Sequence, residues 1–422
     1  MRLHKLLRLS SIALISLTLS IALFLGLQSR PTTAAQKPSI LAFLAPQGEG
    51  GEVMSSLFTI NANGAARREL TPKIEVSYTF AWSPNGQRLA FVSRDKDIYT
   101  VNADGSRLTK QFAGEFCKAA NFEIAWASNS QKFVFARSCD GYTTDGSGSQ
   151  SLYTSDTSGI KGTKLVRNLE VGGEPPKTEI ASAFYLAPDG QQVAFVKDKN
   201  IYKMNADGSA MTKLTKSPGE YTSGGSDLFW SPDRTKIAFW LGTYPKQQIY
   251  TINADGTNLK NLTNNPQNQV YSLKLFWSPD SSRIAYYQGK AGDAGDEQQD
   301  IYAIDLNRGT AQNLTKKPRN YNTLSWSPDG KLIAFAAEEF NNQKLYTITT
   351  DGSKLTQLAS KLELSRIYEL PWSSDSQQIA FSFNEIKGDK SNLYAINRDG
   401  SGLTKLTNDK DLNASSPVWQ PQ

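Results

Sequence analysis

Trp326-Ser327-Pro328-Asp329-Gly330-Lys331-Leu332-Ile333-Ala334-Phe335 is followed, after nine intervening residues, by Leu345-Tyr346-Thr347-Ile348 and then Asp351-Gly352-Ser353. A Pro-Asp-Gly turn joins two short runs of alternating apolar residues, and an Asp-Gly turn closes a third. This is the pattern of a β-meander. One such unit cannot bury its own faces and needs copies beside it.

The chain supplies them. The Trp position recurs at Trp82, Trp126, Leu186, Trp230, Trp277, Trp326, Trp372 and Trp419. The Ile-Ala-Phe element recurs from Leu41-Ala42-Phe43 through Ile379-Ala380-Phe381, and the Ile-Tyr element from Leu57-Phe58 through Leu393-Tyr394. A fourth run ends at Leu70-Thr71, Leu214-Thr215, Leu262-Thr263, Leu314-Thr315 and Leu406-Thr407. Four short strands in each period of about 40 to 50 residues is the signature of a propeller blade.

The repeats begin on an Ile-Ala-Phe strand and end on a Trp strand, so the first unit lacks the strand that the C-terminus carries. The expectation is an all-β, eight-bladed β-propeller of four-stranded antiparallel blades. Its eighth blade combines residues 39 to 71 with residues 415 to 420, which closes the ring. A radial repeat stacks its core blade by blade, so residues 36 to 422 are read as one domain despite their length. The 31 Gly and 18 Pro suit an array of tight turns and argue against a helical protein.

The formal charge of +6 invites a nucleic-acid reading, but Arg2, Lys5, Arg8 and Arg30 lie in the first 35 residues, which hold no Asp or Glu. Without them, 42 basic residues face 40 acidic ones, a net of +2. No basic stripe or recognition motif remains, and no nucleic-acid partner is expected. Residues 1 to 35 have the layout of a secretory signal: a basic start, the uncharged stretch Leu9 to Leu27, and the small residues Thr33-Ala34-Ala35. The apolar stretch also approaches the roughly 20 residues that span a bilayer, so a retained anchor is the alternative. Either way the propeller is exported, and it meets a membrane only through a retained N-terminal segment.

Cys117 and Cys139 flank the first hairpin of blade 2 at one end, and a bridge would close a loop of 23 residues. Such a bridge is worth on the order of 3 kcal/mol and suits an exported chain; two unpaired thiols are the alternative. The recurring Trp, Phe and Tyr are packing residues. Each Trp offers about 150 to 250 Å² to bury. At Leu186, where the Trp is missing, Phe184 or Tyr185 is expected to fill part of the lost volume. The Asp of the Asp-Gly pairs at 104–105, 207–208, 255–256, 351–352 and 399–400 reads as a turn residue rather than a calcium ligand.

Units reading Trp-Ser-Pro-Asp-Gly-x-x-Ile-Ala-Phe and then Ile-Tyr-x-x-Asn-Ala-Asp-Gly-Ser resemble the WD40-like repeats of TolB-type propellers, over residues 39 to 420. TolB proteins carry a separate α/β domain before a smaller ring, whereas here residue 36 leads straight into the repeats. The resemblance implies the propeller fold and an extracytoplasmic role in docking partner proteins at the channel mouth. Similar repeats precede the hydrolase domain of prolyl-oligopeptidase-like peptidases. No such domain is expected here.

The only histidine is His4, in the leader. That removes a Ser-His-Asp or Cys-His arrangement and His-containing metal sites from the rest of the chain. Carboxylate catalysis survives. Glu123 and Glu369 each stand three residues before a Trp, on innermost strands, but on blades 2 and 7. A glycosidase-like pair needs a separation of roughly 5 to 9.5 Å, which blades so placed do not offer. The acidic run Asp293 to Asp300 reads as a solvated insertion. No metal or cofactor is expected.

Loops entering the innermost strand and loops joining the second and third strands emerge on one face, where function concentrates. Those loops are long here: residues 166 to 182 and 216 to 227 of the first kind, and 137 to 150, 286 to 299 and 384 to 391 of the second. Near them stand Tyr271, Tyr321 and Tyr368, with Arg319 and Arg366, while Trp240 and Tyr244 fall on a second-to-third-strand loop. Aromatic and Arg side chains are favoured binding anchors; an aromatic just ahead of a strand also serves as a plug. The expectation is a monomeric, non-catalytic, periplasmic or otherwise extracytoplasmic propeller that binds a protein or peptide of the cell envelope. The alternative is a carbohydrate- or peptide-active enzyme using carboxylates alone.

Overall fold

A computed structural model describes residues 39–47, 54–113, 122–139, 149–155, 163–166, 184–197, 200–215, 228–242, 247–264, 269–270, 274–289, 299–317, 319–339, 342–362, 364, 367, 369–384, 391–407 and 413–421. Among them there is no helix, and the strands form eight antiparallel sheets. Blade 6 shows the common plan. Tyr321–Trp326, Leu332–Glu339, Asn342–Thr349 and Leu355–Leu358 pair in sequence, with Trp326 opposite Ile333, Phe335 opposite Tyr346 and Tyr346 opposite Gln357. Two blades vary. The innermost strand of blade 5 is split into Gln269–Val270 and Phe276–Trp277, both paired to Arg283–Gly289, and that of blade 7 is reduced to a bridge between Trp372 and Ile379.

Eight apolar clusters hold the sheets together, one between each blade and the next. Blades 6 and 7 meet through Ala334, Leu345 and Leu358 on one side and Trp372, Ile379 and Phe381 on the other. Strand alternation explains this: Ile and Phe of each second strand face the preceding blade, while the Ala between them faces the following one. The other clusters repeat the arrangement around the circle. The circle closes as expected. Ser415–Trp419 pairs with Ile40–Gln47, placing Trp419 opposite Leu41 and Val418 opposite Ala42. Blade 8 then packs on blade 7 through Phe43 and Leu393, and on blade 1 through Leu44 and Phe91.

The tryptophans do more than fill space. In seven blades the indole N–H donates, at 2.9 to 3.3 Å, to a main-chain carbonyl of the preceding blade, that of the residue just before its own Trp position. Trp326 donates to Phe276, Trp82 to Val418, and Trp419 to Pro371. Phe would fill part of the same volume without supplying the donor. Leu186 interrupts the belt between blades 2 and 3. There Met204 joins Leu186 and Val134 in the cluster, at a position where six of the other blades carry Val or Ile and blade 2 carries Ser155. Tyr185 packs instead into the gap between blades 3 and 4, because it follows Phe184 and precedes Leu186 in a strand whose sides alternate. The Phe184 side chain lies outside the described residues.

The Leu-Thr element also acquires a physical reason. Thr71, Thr215, Thr263, Thr315 and Thr407 each accept, through Oγ1, the N–H of the first apolar residue of the Ile-Tyr element at 2.9 to 3.0 Å. These amides would otherwise be buried without a partner. The Asp-Gly pairs are turns: Gly105, Gly208, Gly256, Gly352 and Gly400 all have positive φ. Their Asp carboxylates accept from the amide two residues on and from its Ser or Thr hydroxyl. These donors lower the carboxyl pKa values; at Asp351 the Thr349 hydroxyl contributes most, followed by the Ser353 amide and hydroxyl, and the value falls to about 2.

Candidate functional site: the loop face and channel mouth

Among the described residues, the Pro-Asp-Gly and Asp-Gly turns lie at one end of the strands, which makes that end the turn face. The connections from second to third strand, and from fourth strand to the next blade, lie at the other end, the loop face. The predicted anchors divide there. Tyr321 is 6% exposed: its ring stacks on Tyr287 at 6.4 Å, packs edge-on to Phe335, and its hydroxyl donates to the Lys317 carbonyl at 2.7 Å. Burial pushes its pKa up to about 12. It plugs the gap between blades 5 and 6 and is no exposed anchor.

Trp240 is also a correction. It is 4% exposed and belongs to the strand Lys236–Leu241 rather than to a loop. It follows Phe239, so alternation turns it toward blade 5, where it packs with Tyr286. The insertion expected over residues 286 to 299 is shorter for the same reason, since Arg283–Gly289 and Gln299–Asp305 run further as strands. Within the acidic run, Asp300 is buried. It accepts from the Thr315 hydroxyl, the Lys317 amide and the Asn313 side chain, and so fastens the fourth strand of blade 5.

Arg319 is half-buried and forms an ion pair with Glu339, whose Oε1 also accepts the Tyr346 hydroxyl. Its main chain exchanges both hydrogen bonds with Gln299 of blade 5 at 2.9 Å. Arg319 therefore ties two blades together at the loop face and leaves part of its guanidinium accessible. Tyr271, Tyr368, Arg366, Tyr244 and Cys117 lie outside the described residues, as do the side chains of Glu123 and Cys139. The main chain of Cys139 pairs with Ser149.

One residue was missed. Tyr78, on the innermost strand Val76–Trp82, is 81% exposed. The pairing of this strand shifts register between Val76 and Phe80, and the extra residues of that bulge turn Tyr78 out of the sheet. It stands four residues before Trp82, the same offset as Tyr368 before Trp372, so the spacing that drew attention to Tyr368 applies equally to it.

Glu369 and Lys274 stand three residues before Trp372 and Trp277, on the innermost segments of blades 7 and 5, and both are exposed. Solvent reaches Glu369, yet protein surrounds it on most sides. This desolvation raises its carboxyl above the ordinary glutamate range, against the opposing pull of Lys274. The inner wall thus presents a carboxyl whose pKa is raised, a lysine and, near its loop end, an exposed phenol ring. That set suits hydrogen bonding and aromatic packing against an extended ligand. Among the described residues, no three His, Cys, Asp or Glu side chains converge as metal ligands would.

The profile described as TolB beta propeller domain matches residues 166–362 and 225–422, which together exceed half of the chain. No curated protein matches in sequence. Solved structures share the fold. Dipeptidyl peptidase 4 of Porphyromonas gingivalis is 16% identical with a TM-score of 0.58, covering 80% of this chain and 54% of its own. A eukaryotic initiation factor is 13% identical with a TM-score of 0.56, over 91% of this chain and 99% of its own. An oligogalacturonate lyase in complex with manganese is 16% identical with a TM-score of 0.53, over 85% and 97%. With its repeats, its eight sheets and this match together, the chain belongs to the TolB β-propeller domain family.

Proposed function

We propose that this protein is a non-catalytic, extracytoplasmic propeller that binds a protein or peptide of the cell envelope through its loop face and channel mouth. The observation that carries the reading is Tyr78, the only large aromatic side chain strongly exposed among the described residues. Among the described residues, a ring that packs its other aromatics between blades leaves this one in water at the mouth, where a rigid amphipathic side chain contributes contact area at small entropic cost. The leader supports export, and the same reading keeps Tyr368, Arg366, Tyr271 and Tyr244 as further contacts. The domain division at residue 36 and the Cys117–Cys139 bridge belong to this proposal too. A bridged chain resists alkylation before reduction and takes up two alkyl groups after it.

Affinity capture from an envelope extract tests the reading. A specific protein retained by the wild type and lost by Tyr78→Ala, with an unchanged unfolding midpoint, supports it; equal retention by both contradicts it. The raised carboxyl of Glu369 favours a second reading, in which it acts as an acid on a glycan or peptide, as the likeness to a lyase fold allows. Turnover of such a pool that disappears in Glu369→Gln would replace the first reading with the second.

A further inference from the structure

Among the described residues, every large aliphatic side chain that is strongly exposed occupies one register position. Met211, Leu259, Leu355 and Leu403 are 48%, 51%, 47% and 38% exposed. Each stands three residues after the glycine of an Asp-Gly turn, where the outermost strand of its blade begins. Single exposed leucines need no explanation, but four in one register do. Equivalent positions in a closed ring lie at one height and one radius, so these side chains form a level rim on the turn face. They fall in two adjacent pairs, on blades 3 and 4 and on blades 6 and 7.

Two further facts say what covers such a rim. First, the chain joins the ring on this face. The Ala62 amide donates to the Ser39 carbonyl at 2.9 Å, which fixes residue 39 beside the turn at Asn61–Gly64. Residues 28 to 38, which extend to at most about 40 Å, connect that point to the uncharged stretch Leu9 to Leu27, close to the length that spans a bilayer. Secondly, the apolar side chains are level with one another and separated by polar turns. A flat, fluid surface meets all four at once, whereas a globular partner buries one contiguous patch.

We propose that the turn face rests on a lipid bilayer, with Met211, Leu259, Leu355 and Leu403 seated at the boundary between headgroups and acyl chains. The flanking Lys213 and Lys354 lay their stems along the same surface and keep their ammonium groups among the headgroups. The carboxylates of the neighbouring turns stay ionised and offset this charge. Docking is therefore driven by apolar contact, and the loop face is left directed toward the aqueous side. None of this depends on the identity of the loop-face partner.

Hydroxyl-radical footprinting of the wild-type full chain tests the proposal directly, because Met, Leu and Tyr side chains oxidise according to their solvent exposure. The chain is compared free in buffer, on phosphatidylcholine vesicles, and on vesicles of phosphatidylethanolamine with phosphatidylglycerol. The expected result is loss of oxidation at all four rim residues on both kinds of vesicle, with Tyr78 oxidised at an unchanged rate. Unaltered rim oxidation on vesicles overturns the proposal. So does protection that appears without lipid as protein concentration rises, which assigns the rim to a second copy of the chain.

Discussion

Removing the indole N–H of Trp326 while keeping an aromatic ring, as Trp326→Phe does, leaves the Phe276 carbonyl without its donor at a buried interface. The expected cost is about 1 to 3 kcal/mol, read as a lower midpoint in urea unfolding. Tyr321 and Tyr78 separate plug from anchor. Tyr321→Ala empties a packed gap and should cost about 3 to 5 kcal/mol, whereas Tyr78→Ala, at a side chain already in water, should stay within about 0.5 kcal/mol of wild type. Glu369 gives a pH dependence. Its folded-state pKa is raised, so its contribution to stability is fully present below the ordinary glutamate value of 4.5 and is lost as pH rises through the raised one. Glu369→Gln, which never ionises, should remove that loss, flattening the stability curve over this interval in unfolding measured at stepped pH.

At the scale of turns and strands, the residue four places after each Trp position has positive φ in seven blades, and in four of them its side chain links its blade to the preceding one. Ser130, Ser281 and Ser376 accept, through Oγ, an amide of the preceding blade at 2.9 to 3.0 Å. Arg234 reaches back to Asp189. At Gly86 a Cβ would stand 2.5 Å from the Pro421 carbonyl, whereas at Gly330 it would meet nothing within 4 Å. Gly330→Ala should therefore cost only the positive-φ strain, about 1 kcal/mol, and Gly86→Ala distinctly more, with urea unfolding as the measure. The four-strand unit and its eightfold recurrence were legible in sequence because strand alternation and turn chemistry are local. The indole and serine links were not, since each partner sits a whole repeat away, at a separation no local period encodes. Trp240 was misplaced because an aromatic beside Gly242 resembles the start of a loop, while its side of the strand depends on pairing with Ile249. Tyr78 escaped because a bulge changes which way a residue points without changing its spacing.

For the molecule as a whole, every blade is held on both sides by an apolar cluster, and the first and last described strands meet in blade 8 instead of leaving two open edges. The C-terminal strand supplies Trp419 to the cluster with blade 7 and, through the Val418 carbonyl, the acceptor for Trp82 of blade 1. Gln420 adds a main-chain bond to Ile40 at 2.8 Å and a side-chain bond to the Gly86 carbonyl at 2.6 Å. A ring so fastened makes the last strand as hard to open as the middle of the chain. Amide hydrogen exchange on Ser415–Trp419 tests it most directly. The closed ring predicts that these amides exchange as slowly as those of Ala42–Leu44, whereas fast exchange at the C-terminus beside protected amides at Ala42–Leu44 would contradict it.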